Sequence, residues 1–233
     1  MSERNWTRKS NPAYTAHVAT KAPTPARRLT ARGAATKARI VAAAASLVYE
    51  RGFAGTSLDD VMAATGTSKS QLYHYFADKD ALIGAVIKAQ LGRIIAAQEA
   101  AGLHEVSSWE GLQRWCDHFV TATRATHGAG GCPLGSLVGE LADQSEPARR
   151  VLAQCFDEWQ SYLSQGFEAM RDNGELTAQA DPAELALTVI SALQGGLLMA
   201  QATRSARPLE LTLNMAIQYM AGYRRRPKQA GRR

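Results

Sequence analysis

Cysteine is scarce in this sequence. The chain of 233 residues has three, Cys116, Cys132 and Cys155, and none are spaced as C-x-x-C. That is not a disulfide framework, and it fits a reducing cytoplasm, the expected location. No segment alternates apolar and polar residues with period two over the length of a strand, so no sheet is expected. There is no internal repeat. No apolar h-region follows the basic residues near the start, so no secretory leader is expected. The phosphate-loop pattern G-x-x-x-x-G-K-[ST] and the nucleophile elbow G-x-S-x-G are absent. Pro133 stands where G-x-G-x-x-G would need its last glycine. These absences predict no nucleotide or other cofactor, and nothing assembles a nucleophile, base and orienter. Cys116-x-His118, His104 and His127 have no recognised ligand spacing, so no metal is expected.

Long uncharged stretches are also missing, with one exception. Leu185 to Thr203 carries no charge. A membrane span needs about 20 mostly apolar residues. This stretch contains Thr188, Ser191, Gln194, Gln201 and the pair Gly195-Gly196. It reads as a helix buried in a core or a subunit interface, not in a bilayer.

What is present is ordinary globular composition: 45% hydrophobic, 21% charged, net charge +6. A chain of this length buries about 70–75% of the surface that its unfolded form exposes. The charge is unevenly spread. Residues 1–40 carry +8, residues 222–233 carry +6, and the body between them carries −8. Basic ends beside an acidic body either meet a polyanion or are plain solvated tails.

Residues 1–35 show little hydrophobic periodicity and read as a disordered basic arm. From Thr36 the pattern is helical. Ile40, Ala43, Ala44, Leu47 and Val48 recur at spacings of three and four, and Gly52 follows as the stop. Two short helices follow, then a longer one from about 79 to 101. Further helices are predicted near 108–126, 133–142, 146–173, 181–204 and 208–223, separated by glycine and proline breakers. The fold class is all-α.

The most informative segment runs from Ser57 to Lys79. Ser57-Leu-Asp-Asp60 and Ser68-Lys-Ser-Gln71 are both capping boxes. Between them, Thr65-Gly66-Thr67 makes a tight turn, with glycine free to take positive φ. Two capped helices joined this way form a helix-turn-helix. In the second helix Leu72 and Phe76 point to the core. Lys69, Ser70, Tyr73 and His74 share the other face, whose cation, hydroxyl, phenol and imidazole suit the donors and acceptors of a major groove. The free N–H groups at the start of this helix suit a phosphate.

Here the sequence resembles the tetracycline-repressor (TetR/AcrR) family of bacterial transcriptional regulators. The likeness covers about 36–83. It rests on Ile40, Ala43, Ala44, Leu47, Gly52, Phe53, Thr56, Ser57, Val61, Ala63 and Gly66. It then rests on the run Ser-Lys-x-x-Leu-Tyr-x-x-Phe-x-x-Lys from Ser68 to Lys79, with Tyr75 and Leu82. The resemblance implies a ligand-responsive regulator, most simply a repressor, that binds a palindromic operator in double-stranded DNA as a homodimer. It implies phosphate contacts from Thr56, Ser68 and Lys79, and base or adjoining backbone contacts from Lys69, Ser70, Gln71, Tyr73 and His74. Ser70 replaces a glycine common in the family, and Met62 and Thr65 stand where alanine is usual.

The domains expected are the arm 1–35, a DNA-binding domain 36–83, an effector-binding and dimerisation domain 84–223, and a basic tail 224–233. For the effector, a small molecule, the candidate residues are Trp109, Trp115, His118, Phe119, Cys132, Trp159, Tyr162 and Met170, with Phe167 beside them. Such rings also build ordinary cores. Gly-Cys-Pro-Leu-Gly at 131–135 resembles a Gly-Cys-x-Leu-Gly segment of some family members, a few of which sense electrophiles through cysteine. Cys132, at a helix start, is either a reactive sensor or a pocket wall. The dimer is expected through about 181–223, where two largely apolar helices would form a four-helix bundle with their copies. Two other classes stay open: general DNA binding through the basic ends, and a helical ligand-binding enzyme.

Overall fold

The structure, a computed structural model, describes residues 29–103 and 106–225. Most of the expected arm, His104 and the residues from 226 onward lie outside the described residues. Within them the chain forms nine helices. They are α1 (Ala31–Arg51), α2 (Leu58–Thr65), α3 (Lys69–Tyr75), α4 (Lys79–Ala100), α5 (Trp109–Ala125), α6 (Pro133–Leu141), α7 (Glu146–Asp172), α8 (Pro182–Thr203) and α9 (Arg207–Ala221). The only β-pairing among the described residues is an isolated bridge between Leu176 and Arg224. The fold is all-α, as expected.

Two details differ from the sequence reading. α1 begins at Ala31, five residues before Thr36, because the Thr30 side chain accepts a hydrogen bond from the Gly33 N–H at 3.2 Å and caps the helix. The first residues of the expected tail are docked. Arg225 N–H donates to the Glu175 carbonyl at 3.0 Å, and the Arg224 guanidinium lies 5.1 Å from the centre of the Trp109 ring.

The helices enclose two cores. The smaller gathers Ile40, Ala44 and Leu47 of α1, Val61 of α2, Leu72 of α3 and Phe76, and it closes on Leu82 and Val86 of α4. The larger is built from α4 to α9 around Trp115, Trp159, Phe167 and Met170. α4 serves both, because Ile83, Ile87 and Leu91 on its next face belong to the larger core. The boundary expected between 83 and 84 therefore runs along a helix, not through a linker.

α8 is long and apolar enough to cross a membrane by length and composition, and half of its most apolar window is buried. It packs against α7 and α9. At Gly196 an added Cβ would stand 2.8 Å from the Leu209 Cα, so glycine permits the close crossing of α8 and α9.

Both capping boxes form with reciprocal hydrogen bonds. The Ser57 hydroxyl and N–H hold the Asp60 carboxyl below its usual range, against the cost of burial and with help from Arg51. Ser57→Ala is expected to destabilise the chain by about 1 kcal/mol and lower Tm by about 2–4 °C in calorimetry. An unchanged Tm would show that the box contributes nothing.

Candidate nucleic-acid interface and effector cavity

The turn between α2 and α3 follows from its residues. Gly66 ends α2 at φ 63°, a left-handed conformation that costs glycine little. Thr65 and Thr67 are buried there, and their hydroxyls bond to each other at 2.6 Å. Thr65, standing where alanine is usual, thus satisfies itself inside the turn. Leu72 and Phe76 are buried, which turns the opposite side of α3 to solvent. Lys69, Ser70, Gln71, Tyr73 and His74 are all exposed on it, Tyr73 by 44%. The His74 and Tyr75 rings meet edge to face at 5.0 Å.

The residues expected at phosphates differ in their readiness. Ser68 N–H donates to Gln71 Oε1 at 3.0 Å, and Ser68 Oγ accepts from Gln71 N–H at 3.2 Å. The Ser68 hydroxyl proton and the Gln71 side-chain amide donors are left for DNA. Thr56 is half-buried, and its hydroxyl donates to the Gly52 carbonyl at 2.9 Å. A phosphate contact requires that hydroxyl to rotate away. Lys79 is held in place by its ammonium, 4.4 Å from the centre of the Phe53 ring.

The sequence reading missed a basic flank. Arg32 and Arg39 on α1 are exposed and share a surface groove with Gln71 and Tyr75. The only signal for them was the general positive charge of residues 1–40.

The second site is a cavity of about 220 Å³ in the larger half. Of the eight effector candidates, Phe119, Cys132 and Trp159 line it. The other five stand elsewhere. Trp115 is core, its indole N–H donating to Gln98 Oε1 at 2.6 Å. Met170 is fully buried in the larger core, as is Phe167. Trp109 opens α5 beside Arg224, with its backbone N–H donating to Glu175. His118 leans edge-on against Phe119 and is not part of the lining, and Tyr162 is half-buried outside it. Large rings were easy to find in the sequence, but the helix face that carries each of them decides where it points.

The cavity also takes residues that were not anticipated: Tyr49 from the end of α1, Ile94 from α4, Thr123 from α5, Thr126 just beyond it, and Leu197 from α8. Gly128 to Gly131 pass along it, with Gly128, Gly130 and Gly131 at positive φ. Cys132 caps α6 by position but makes no side-chain capping bond. Burial pushes its thiol pKa up, only partly offset by the Gly135 N–H, the Gln194 amide and the Leu134 N–H. Burial thus outweighs the helix dipole that could have stabilised a thiolate.

The two halves also meet at α6. Glu140 of α6 accepts a hydrogen bond from the Phe53 N–H, just beyond the end of α1. A small apolar cavity beneath it is walled by α1, α2, α4 and α6, including Val48, Leu82, Ile83 and Leu137.

Residues 40–86 match the family model described as bacterial regulatory proteins, tetR family, and residues 109–216 match the tetracyclin repressor-like C-terminal domain. An HTH-type transcriptional regulator of Lactococcus lactis is 33% identical, over 77% of this chain and 90% of that protein. The HTH-type transcriptional repressor NemR of Escherichia coli is 29% identical, over 76% of this chain and 90% of its own length. A TetR transcriptional regulator from Chloroflexus aurantiacus, solved by crystallography, superposes with a TM-score of 0.66 at 28% identity, covering 85% of this chain and all of that one. These relatives are regulators, not enzymes. The exposed reading face of α3, the two cores and these matches agree: the chain belongs to the TetR family of DNA-binding transcriptional regulators.

Proposed function

We propose that this chain is a cytoplasmic repressor that binds a palindromic operator as a homodimer and leaves it when a small molecule enters the cavity of the larger half. The observation that carries the DNA reading is the two-sided α3, with Leu72 buried behind it and Lys69, Ser70, Tyr73 and His74 exposed. In this reading Lys69, Ser70, Gln71, Tyr73 and His74 face base edges or the adjoining backbone. Ser68, Lys79 and a rotated Thr56 hold phosphates. Two such heads, one per subunit, would enter major grooves about 34–36 Å apart or somewhat more.

The dimer reading is supported by α8 and α9, which expose Leu187, Leu198, Met199, Leu211, Met215 and Tyr219. Apolar residues gathered on one face of a monomer mark a contact surface. The repressor reading is supported by NemR, which is named a repressor.

The test is selection from a random duplex library at near-physiological salt, comparing wild type with Tyr73→Ala. A palindrome enriched by the wild type and lost in the variant is the expected result. Equal retention of all sequences, with a steep salt dependence, would shift the reading to non-specific binding through the basic ends.

A further inference from the structure

The chemistry of the cavity wall restricts what can occupy it. Resting on the reading of this half as the effector-binding half, we infer that the ligand is uncharged, has a single aromatic ring, and carries a hydrogen-bond acceptor such as a carbonyl oxygen.

Charge is excluded first. The lining is made of Phe119, Trp159, Leu197, small residues and glycines, with Tyr49, Thr123 and Thr126 as its hydroxyls. No Lys, Arg, His, Asp or Glu is part of it. The Thr126 hydroxyl already donates to backbone carbonyls of α5. A carboxylate or ammonium placed against this wall would lose part of its water and gain no counter-ion, which disfavours it.

The acceptor follows from an unpaired donor. Trp159 is 1% exposed and forms part of the wall, and its indole Nε1 is buried without a hydrogen-bond partner. Buried polar groups are nearly always satisfied. An orphaned N–H donor on a wall residue calls for an oxygen or nitrogen brought in from outside.

The ring follows from shape and size. Phe119 and Trp159 both line the cavity, 6.4 Å apart centre to centre, so the wall presents aromatic rings that favour another flat one. The volume, about 220 Å³, exceeds the roughly 150 Å³ that houses benzene in a dry engineered cavity. It fits one ring with a short substituent.

Three probes of nearly equal size separate these requirements: acetophenone, neutral with an acceptor; ethylbenzene, neutral without one; and benzoate, charged. Binding to the full chain is read by tryptophan fluorescence and calorimetry, with no DNA present. The expected order is acetophenone, then ethylbenzene, then benzoate. Trp159→Phe keeps a ring and removes the donor. It is expected to weaken acetophenone about fivefold to tenfold more than it weakens ethylbenzene, with circular dichroism and Tm confirming the fold. The inference is overturned if benzoate binds as well as acetophenone, if none of the three binds, or if Trp159→Phe leaves the preference unaltered. Operator affinity measured with saturating acetophenone tests the effector reading separately. Ordered binding without release of DNA would keep the ligand class and remove the regulatory role.

Discussion

Replacing Leu198 and Met215 together by aspartate is expected to yield a folded monomer that binds its operator about 100-fold or more weakly than wild type. The two side chains are 67% and 66% exposed in the single chain, so their loss should leave the fold nearly untouched. In a dimer they would be buried, and each new carboxylate would face a partner carboxylate across a dry surface. DNA binding then loses its second head. Linking two heads raises avidity by about 10²–10⁴ without any new contact, so removing the link lowers it by a similar factor. Light scattering at micromolar concentration reports the mass, and a titration of labelled operator reports the affinity. A dimeric mass in the double variant would move the interface away from α8 and α9.

The second large effect concerns stability. Gly128→Ala is expected to cost about 3 kcal/mol, from positive-φ strain together with overpacking. Gly128 is buried at φ 72°, with its N–H donating to the Thr123 carbonyl at 2.8 Å. An added Cβ would run into the Ala200 carbonyl oxygen and stand 3.0 Å from Ser205 N. Both neighbours are backbone at the end of α8 and cannot rotate aside. At about 2–4 °C per kcal/mol for a chain of this size, Tm should fall by about 6–12 °C. Gly139→Ala is the control. It lies inside α6 with nothing within 4 Å of an added Cβ, and it should stabilise the chain by up to about 1 kcal/mol. Equal Tm values for the two variants would contradict the tight docking of the glycine segment.

What could be read from the sequence and what could not divides along one physical line. Capping is local. Ser57 with Asp60, and Ser68 with Gln71, lie three residues apart, so the helix-turn-helix and the exposed side of α3 were legible. The start of α1 was not, since its first turns carry no apolar stripe. They are mostly exposed, and Thr30 alone anchors them. The cavity was legible only in part, because a cavity belongs to several helices at once. Phe119 and Trp159 stood out as rings, and Cys132 by its glycine neighbours. Tyr49 gave no signal, being part of a helix assigned to the DNA-reading half, and Leu197 looked like any core leucine of α8. Trp115 stood out as a ring in the same way, but nothing in sequence pairs it with Gln98, 17 residues earlier, which satisfies its N–H.

α1 has one further consequence. Its 21 residues make a rod about 30 Å long. Near its middle, Ile40 and Ala44 are fixed in the smaller core. One end carries Arg32 beside the reading face, and the other carries Tyr49 in the cavity wall, next to the Phe53 N–H that Glu140 grips. One unbroken helix thus reaches from the cavity wall to the edge of the reading face, seated between them in the smaller core by Ile40, Ala44 and Leu47.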